Sequence, residues 1–171
     1  MPRLPHNTHS APRLHLSRPI AFLAICSLLV VAPAVAVERD QYGEEHVWRG
    51  ELGSYTVIDF AASWCAPCFK TLPKLVELGA RYPELRILVV SVDDRVAGRD
   101  ELVERLGLEV PVLWDEDYAI AEHYKPPAMP TTYLLSPDGE IVHSHVGSGD
   151  VDWERFVTKV EDLFASELAA D

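Results

Sequence analysis

Between Tyr55 and Tyr82 the hydrophobic pattern changes period, and the change falls on two cysteines. "YTVIDFA" (Tyr55–Ala61) is β-branched and aromatic and follows Gly53-Ser54, which predicts a strand. From Cys65 onward apolar residues recur at helical spacing through Phe69, Leu72, Leu75 and Leu78, and the pattern stops near Tyr82-Pro83. At the junction stands "SWCAPCF" (Ser63–Phe69). A strand passing at once into an amphipathic helix constrains this chain more than any other segment, because both elements need apolar cover in one layered core.

The remaining segments continue the alternation. "LRILVVSV" (Leu85–Val92) is a continuous apolar run, which predicts a central strand covered on both faces. "GRDELVERLG" (Gly98–Gly107) predicts a short helix, "VPVLWD" a short strand and "EDYAIAEHY" (Glu116–Tyr124) another short helix. "TTYLLS" and "EIVHSHV" flank Pro137-Asp138-Gly139, a turn signal that makes them an antiparallel hairpin. A final helix spans about Val151–Leu168, with Trp153, Phe156, Val160 and Phe164 among its inward residues. The order β-α-β-α-β-α-β-β-α predicts an α/β domain over residues 55–171, a central mixed β-sheet flanked by helices on both faces. Residues 37–54 are polar and weakly periodic, and read as a linker that docks loosely onto it.

The start of the chain has another character. Arg3, Arg13 and Arg18 precede Glu38 and no Asp or Glu does, although the whole chain has net charge −12. The acidic remainder lacks the basic footprint that phosphate binding needs, which argues against nucleic acid as a partner. "IAFLAICSLLVV" (Ile20–Val31) and the small-x-small site Ala34-Val35-Ala36 complete the pattern of a secretory signal over residues 1–36. The expected product is an exported, periplasmic protein cleaved after Ala36. The alternative is a retained N-terminal membrane anchor through residues 20–37, about the minimum length for a span. A lipid-modified Cys26 fits less well, since Ile25 is large and cleavage there leaves "SLLVVAPAVAV" on the mature side.

With Cys26 in the export segment, the domain retains Cys65 and Cys68. An oxidising compartment permits structural disulfides, but a pair this close restrains too little chain to serve as a staple. Other chemistries compete for the spacing. Structural zinc needs four ligands, which His143 and His145, i and i+2 on one strand, could complete; two histidines on a half-exposed strand is the plainer reading. Haem attachment needs His where Phe69 stands. Soft thiolates suit Cu(I), with Met129 as a third ligand, in a metallochaperone. A peroxidase would carry Thr and Pro around a single cysteine, whereas here Ser63 precedes two vicinal thiols.

Thiol–disulfide exchange uses more of the surrounding residues. The thiolate is the nucleophile, and Cys65 at a helix start would face unpaired N–H groups and the positive end of the helix dipole. Pro67 suits a first helical turn because its missing N–H costs nothing there. Cys68, one turn further and more buried, would resolve the mixed disulfide that Cys65 forms. Asp59 lies mid-strand among Val57, Ile58 and Phe60: turned inward, its carboxyl pKa rises and it serves as a proton acceptor for Cys68, whereas turned outward at the strand end it is merely solvated. Lys70 and Lys74 read as an exposed helix face that adds mild positive potential.

"VIDFAASWCAPC", followed by Lys70 and Pro73, resembles the active-site segment of the thioredoxin superfamily, and "MPTTYLLSPDG" (Met129–Gly139) resembles its cis-proline loop and following strand. The segment from Ser91 to Tyr124 resembles the insertion of exported, TlpA-like thiol–disulfide oxidoreductases. The resemblance implies the thioredoxin fold, a cis peptide bond at Pro130, a helix-kinking Pro73 and a buried-carboxylate role for Asp59. It implies substrate contact at Trp64, Ala66, Pro67, Met129 and Pro130. It further implies a protein reductant with no cofactor, disulfide-bearing protein substrates and a membrane thiol-electron donor. A disulfide oxidase or isomerase of the same fold is the nearest alternative. The chain departs from the TlpA-like pattern in its short segment before Tyr55, in Asp59 where many members carry Asn, and in the proline-rich "KPPAM".

Overall fold

A computed structural model describes residues 36–168, so the expected export segment up to Val35 lies outside the described residues. In chain order the elements are β1 (Ala36–Arg39), β2 (Glu45–Arg49), β3 (Thr56–Ala61), α1 (Cys68–Arg81), β4 (Arg86–Ser91) and α2 (Val96–Leu106). They continue as β5 (Val112–Trp114), α3 (Ala119–Tyr124), β6 (Thr131–Leu135), β7 (Ile141–Val146) and α4 (Asp150–Leu168). Five strands form one sheet in the order β5-β4-β3-β6-β7. β3, β4 and β5 run parallel, and β6 and β7 add to it antiparallel. β3, buried throughout, and β4, buried except at Arg86, lie in the middle, where both faces must be covered.

Side chains alternate across the sheet, so each face of β3 meets different neighbours. Phe60 faces Tyr124 of α3 and Tyr133 of β6, with ring centroids 6.1 Å from each. The opposite face carries Val57 and Asp59, with Ile87 paired to Val57 on β4. Gly79 brings α1 close over Ile87 there, and Trp153 of α4 packs edge-on to His145 of β7. Ion pairs from Lys74 to Asp150 (2.5 Å) and from Arg81 to Glu161 (3.6 Å) join α1 to α4 on this side.

Residues 37–54, read from the sequence as a linker, instead hold the antiparallel hairpin β1–β2. One buried acid builds its turn: Asp40 Oδ1 accepts the N–H groups of Tyr42 (2.8 Å) and Glu44 (2.9 Å), and Oδ2 meets His46 Nε2 at 2.9 Å. Trp48 is buried, and its carbonyl accepts the Tyr124 hydroxyl at 2.6 Å; the Val47 carbonyl accepts from Arg86. Only one side of the hairpin is buried, which is why its sequence looks mostly polar.

Helix starts shift as well. α3 begins at Ala119, three residues after the expected Glu116, because the Asp115 carboxylate accepts the Ile120 and Ala121 N–H groups (2.9 and 2.8 Å) and Tyr118 takes a left-handed φ of 58°. The β6–β7 turn needs glycine for two reasons. Gly139 has φ +84°, and a side chain there would run into the Gly50 carbonyl oxygen. Gly139→Ala is therefore expected to destabilise the domain by about 1–3 kcal/mol. Thermal unfolding followed by circular dichroism checks this, and an unchanged midpoint would contradict the packing described.

Candidate active site

β3 ends at Ala61, and the chain makes two successive turns before α1 begins. Cys65 N–H donates to the Ala62 carbonyl and Cys68 N–H to the Cys65 carbonyl, each at 3.0 Å. The helix thus starts at Cys68, not at Cys65, with Pro67 at its N-cap in an α conformation. Cys65 and Cys68 are joined by a disulfide with Cα atoms 5.4 Å apart, which holds both sulfurs at the N-terminal end of α1. The disulfide also commits both sulfurs to each other, and His145 lies buried beneath Trp153 and Phe156. Among the described residues, the one set of three or more His, Cys, Asp or Glu whose ligand atoms converge is Asp40, Glu44 and His46, in which Asp40 already meets His46 and the Tyr42 and Glu44 N–H groups in the hairpin turn. The zinc reading of Cys65, Cys68, His143 and His145 therefore has no geometry here.

The surroundings of the two cysteines differ. Trp64 (65% exposed), Ala66 and Pro67 stand open to solvent around Cys65. Both cysteines are buried, Cys65 at 3% exposure and Cys68 at 0%, and the helix continues from Cys68 through buried Thr71 and Leu72. Pro73 lies inside α1, so the Phe69 carbonyl lacks its usual helical donor near the motif. Lys74 is tied to Asp150, which offsets the positive potential expected of it, and Lys70 remains exposed.

Below the helix, Asp59 is 1% exposed. Burial pushes its carboxyl up to about 7 despite the Thr132 hydroxyl, which donates to Oδ2 at 2.6 Å and favours the anion. Its ladder neighbours, Val89 on β4 and Thr132 on β6, bring no cation to it. A carboxyl poised near neutrality can exchange a proton at physiological pH.

The Met129–Pro130 peptide bond is cis, and Pro130 is buried while Met129 is partly exposed. The carbonyls on either side of Met129 are taken: Ala128 accepts the Thr131 hydroxyl at 2.7 Å and Pro130 accepts the Gly147 N–H at 2.8 Å. An extended segment could still pair with the Met129 backbone itself.

Three supporting residues had no sequence signal of their own. The buried Asp93 carboxylate accepts Ser63 N–H (3.0 Å), Ser63 Oγ (2.8 Å) and Ser91 Oγ (2.8 Å), which fixes the chain two residues before Cys65. Arg105 of α2 donates to the Ser63 carbonyl at 3.4 Å and lies 4.1 Å over the Phe69 ring, so one side chain braces both ends of the motif. Thr132 holds Asp59, as above. Beside Trp64 opens a polar cleft of about 210 Å³, lined by Ser63, Asp93, Asp94, Arg95, Gly98 and Glu101.

Comparison with known proteins places this arrangement. The AhpC/TSA family model matches residues 30–144. This chain belongs to the AhpC/TSA family. The thiol-disulfide oxidoreductase ResA of Oceanobacillus iheyensis is 35% identical over 113 residues, 65% of this chain and 58% of that protein. The ResA of Geobacillus kaustophilus is 30% identical over 107 residues, 61% of this chain and 62% of that protein. The chain thus spans about three fifths of the length of these relatives. A crystal structure of a putative thiol:disulfide interchange protein DsbE from Chlorobium tepidum superposes with TM-score 0.69 at 24% identity, covering 77% of this chain and 93% of that one. A putative thioredoxin from Neisseria meningitidis gives TM-score 0.67 at 22% identity, covering 77% and 89%. The five-stranded mixed sheet with its helices is a thioredoxin-like fold.

Proposed function

We propose that this protein is a thiol–disulfide oxidoreductase that reduces disulfides of other proteins outside the cytoplasm. The observation that carries the reading is the Cys65–Cys68 disulfide at the start of α1, reached directly from the end of the strand that holds the fully buried Asp59. Cys65, ringed by exposed Trp64, Ala66 and Pro67, attacks the substrate disulfide. Cys68 gives its proton to Asp59 and bonds to the Cys65 sulfur, which releases the substrate as a thiol and leaves the pair oxidised. Met129 and Pro130 receive an extended substrate segment next to the reacting sulfurs. No cofactor takes part in this cycle.

Outside the cytoplasm the oxidised pair needs a membrane thiol-electron donor to reset it, because that compartment is kept oxidising. Export rests on the signal-like residues 1–36. No helix of the described residues is long and apolar enough to cross a membrane, so anchoring would fall to residues 20–37.

The direction of electron flow is tested by redox titration of the purified domain against glutathione. A reductant is expected to equilibrate well below the glutathione couple. A potential near that of the strongest periplasmic oxidants, about −120 mV, would make the protein an oxidase instead.

A further inference from the structure

Among the described residues, four side-chain polar atoms are buried without a hydrogen-bond partner, and three of them belong to two residues. These are Oδ1 of Asp59 and both ring nitrogens of His145; the fourth is Nε of Arg86, whose guanidinium donates to the Val47 carbonyl through another nitrogen. An unpaired buried polar atom costs about 1–3 kcal/mol, so each one calls for an explanation. Asp59 and His145 are aligned. Asp59 stands opposite Thr132 in the β3–β6 ladder, and Thr132 stands opposite His145 in the β6–β7 ladder. Residues paired in this way share a face of the sheet, with Cβ atoms about 5 Å apart. The three form one polar row on the face covered by α1 and α4. Thr132 already donates to Asp59 Oδ2 at 2.6 Å, and a hydroxyl can accept as well as donate, so it can pass a proton along the row.

His145 is 1% exposed, edge-on to Trp153 at 5.5 Å and beside Phe156. An apolar side chain would fill that space without stranding two nitrogens. The charged or titratable groups that face the ring are Asp152 from α4, Lys74 from α1 and His143 on its own strand. Burial, the largest influence, pushes the imidazole below its ordinary range, and Lys74 and His143 act the same way. The Gly147 backbone, near but not in hydrogen-bonding geometry, and Asp152 favour the cation once formed. The ring is therefore neutral at pH 7 and able to accept a proton.

We propose that His145 is the outer station of a proton path that runs from Asp59 through Thr132 to the edge strand of the sheet. The inference rests on the reading of Asp59 as proton acceptor for Cys68. When Asp59 is ionised it takes the Cys68 proton directly. When Asp59 already holds a proton on Oδ2, the Cys68 proton can go to the unpartnered Oδ1 only if the Oδ2 proton leaves. It leaves to the Thr132 oxygen, while the Thr132 hydroxyl proton moves through one water to a His145 nitrogen. The Cys68 sulfur, now anionic, bonds to the Cys65 sulfur. The bond from Cys65 to the substrate breaks, its electron pair goes to the substrate sulfur, and the imidazolium gives its proton to water beside Asp152. His145 touches no reacting sulfur; it serves the reaction through Asp59.

The experiment follows the reduced full chain in stopped flow with 5,5′-dithiobis(2-nitrobenzoate). One thionitrobenzoate leaves as Cys65 attacks and a second as Cys68 resolves, so the two steps are read separately. His145→Leu is expected to leave the first phase unchanged and to slow the second about tenfold or more at pH 6, where Asp59 is protonated. At pH 8.5, with Asp59 ionised, the variant should match the parent. His145→Gln, which keeps a polar group but accepts no proton, should behave alike and covers the case in which the leucine variant does not fold. In an Asp59→Asn background both substitutions should have no further effect. Equal slowing at pH 6 and 8.5, or a parent-like second phase at pH 6 while Asp59→Asn is slow, would overturn the path. A parent-like second phase in Asp59→Asn itself would overturn the underlying reading of Asp59, and the path with it.

Discussion

Replacing Cys68 with Ser is expected to trap the protein on its substrates as a mixed disulfide through Cys65. Cys68 sits within one turn of Cys65 in a fixed geometry, and well-oriented intramolecular groups reach effective molarities on the order of 10⁵ M or more. An external thiol at millimolar concentration cannot replace that, so turnover should fall by at least about a thousandfold. Incubation with an oxidised protein substrate followed by non-reducing electrophoresis checks the trap, which should vanish on addition of dithiothreitol. Cys65→Ser should form no such adduct, because the exposed residues Trp64, Ala66 and Pro67 flank Cys65, whereas the remaining Cys68 lies inside α1 at 0% exposure. If the adduct forms through Cys68 in that variant instead, the assignment of attacking and resolving cysteines is reversed.

Asp59→Asn should have two effects of opposite sign. It removes the proton acceptor, so the resolving step should slow by about a hundredfold at pH 7 while the first attack continues. It also removes a destabilising group. The folded protein holds the Asp59 proton up to about 7, whereas an unfolded aspartate loses it near 3.8. A folded-state pKa above the unfolded value gives stability that is full below about pH 4 and is lost as pH rises through 7. The loss approaches about 4 kcal/mol above pH 7, at roughly 1.4 kcal/mol for each unit of difference. Asp59→Asn should thus be clearly more stable than the parent at pH 8 and close to it at pH 4. Urea unfolding at the two pH values measures this, and an equal gain at both would place the effect in packing rather than in the charge.

The part of the site that could be read from the sequence is the part carried by local pattern. A charged residue inside "VIDF" is conspicuous, and two cysteines where strand meets helix are conspicuous; the structure buries the first in β3 and sets the second pair between β3 and α1, with only Cys68 in the helix. What could not be read depends on pairing between distant strands. Thr132 and His145 look like ordinary strand residues until the β3–β6–β7 register puts them in line with Asp59. Asp93 and Arg105 act on Ser63 from 30 and 42 residues away, and nothing near either marks it for that task. The β1–β2 hairpin escaped for a related reason. Its strands are short and half wet, and what secures them is one buried acid and one tryptophan docked on α3. Helix ends were displaced where turns or a side-chain cap, as at Cys65–Cys68 and Asp115, set the first helical residue.

The exposure of Trp64 has a practical side. Of the four tryptophans, Trp48 and Trp153 are buried and Trp114 is half-buried, whereas Trp64 is bonded directly to Cys65 and stands largely in water. A disulfide quenches the emission of an indole beside it, and opening the disulfide restores that emission at the long wavelengths of a solvated ring. Trp64 thereby makes the redox state of this protein visible as fluorescence, with no label attached to the surface that its substrates must reach.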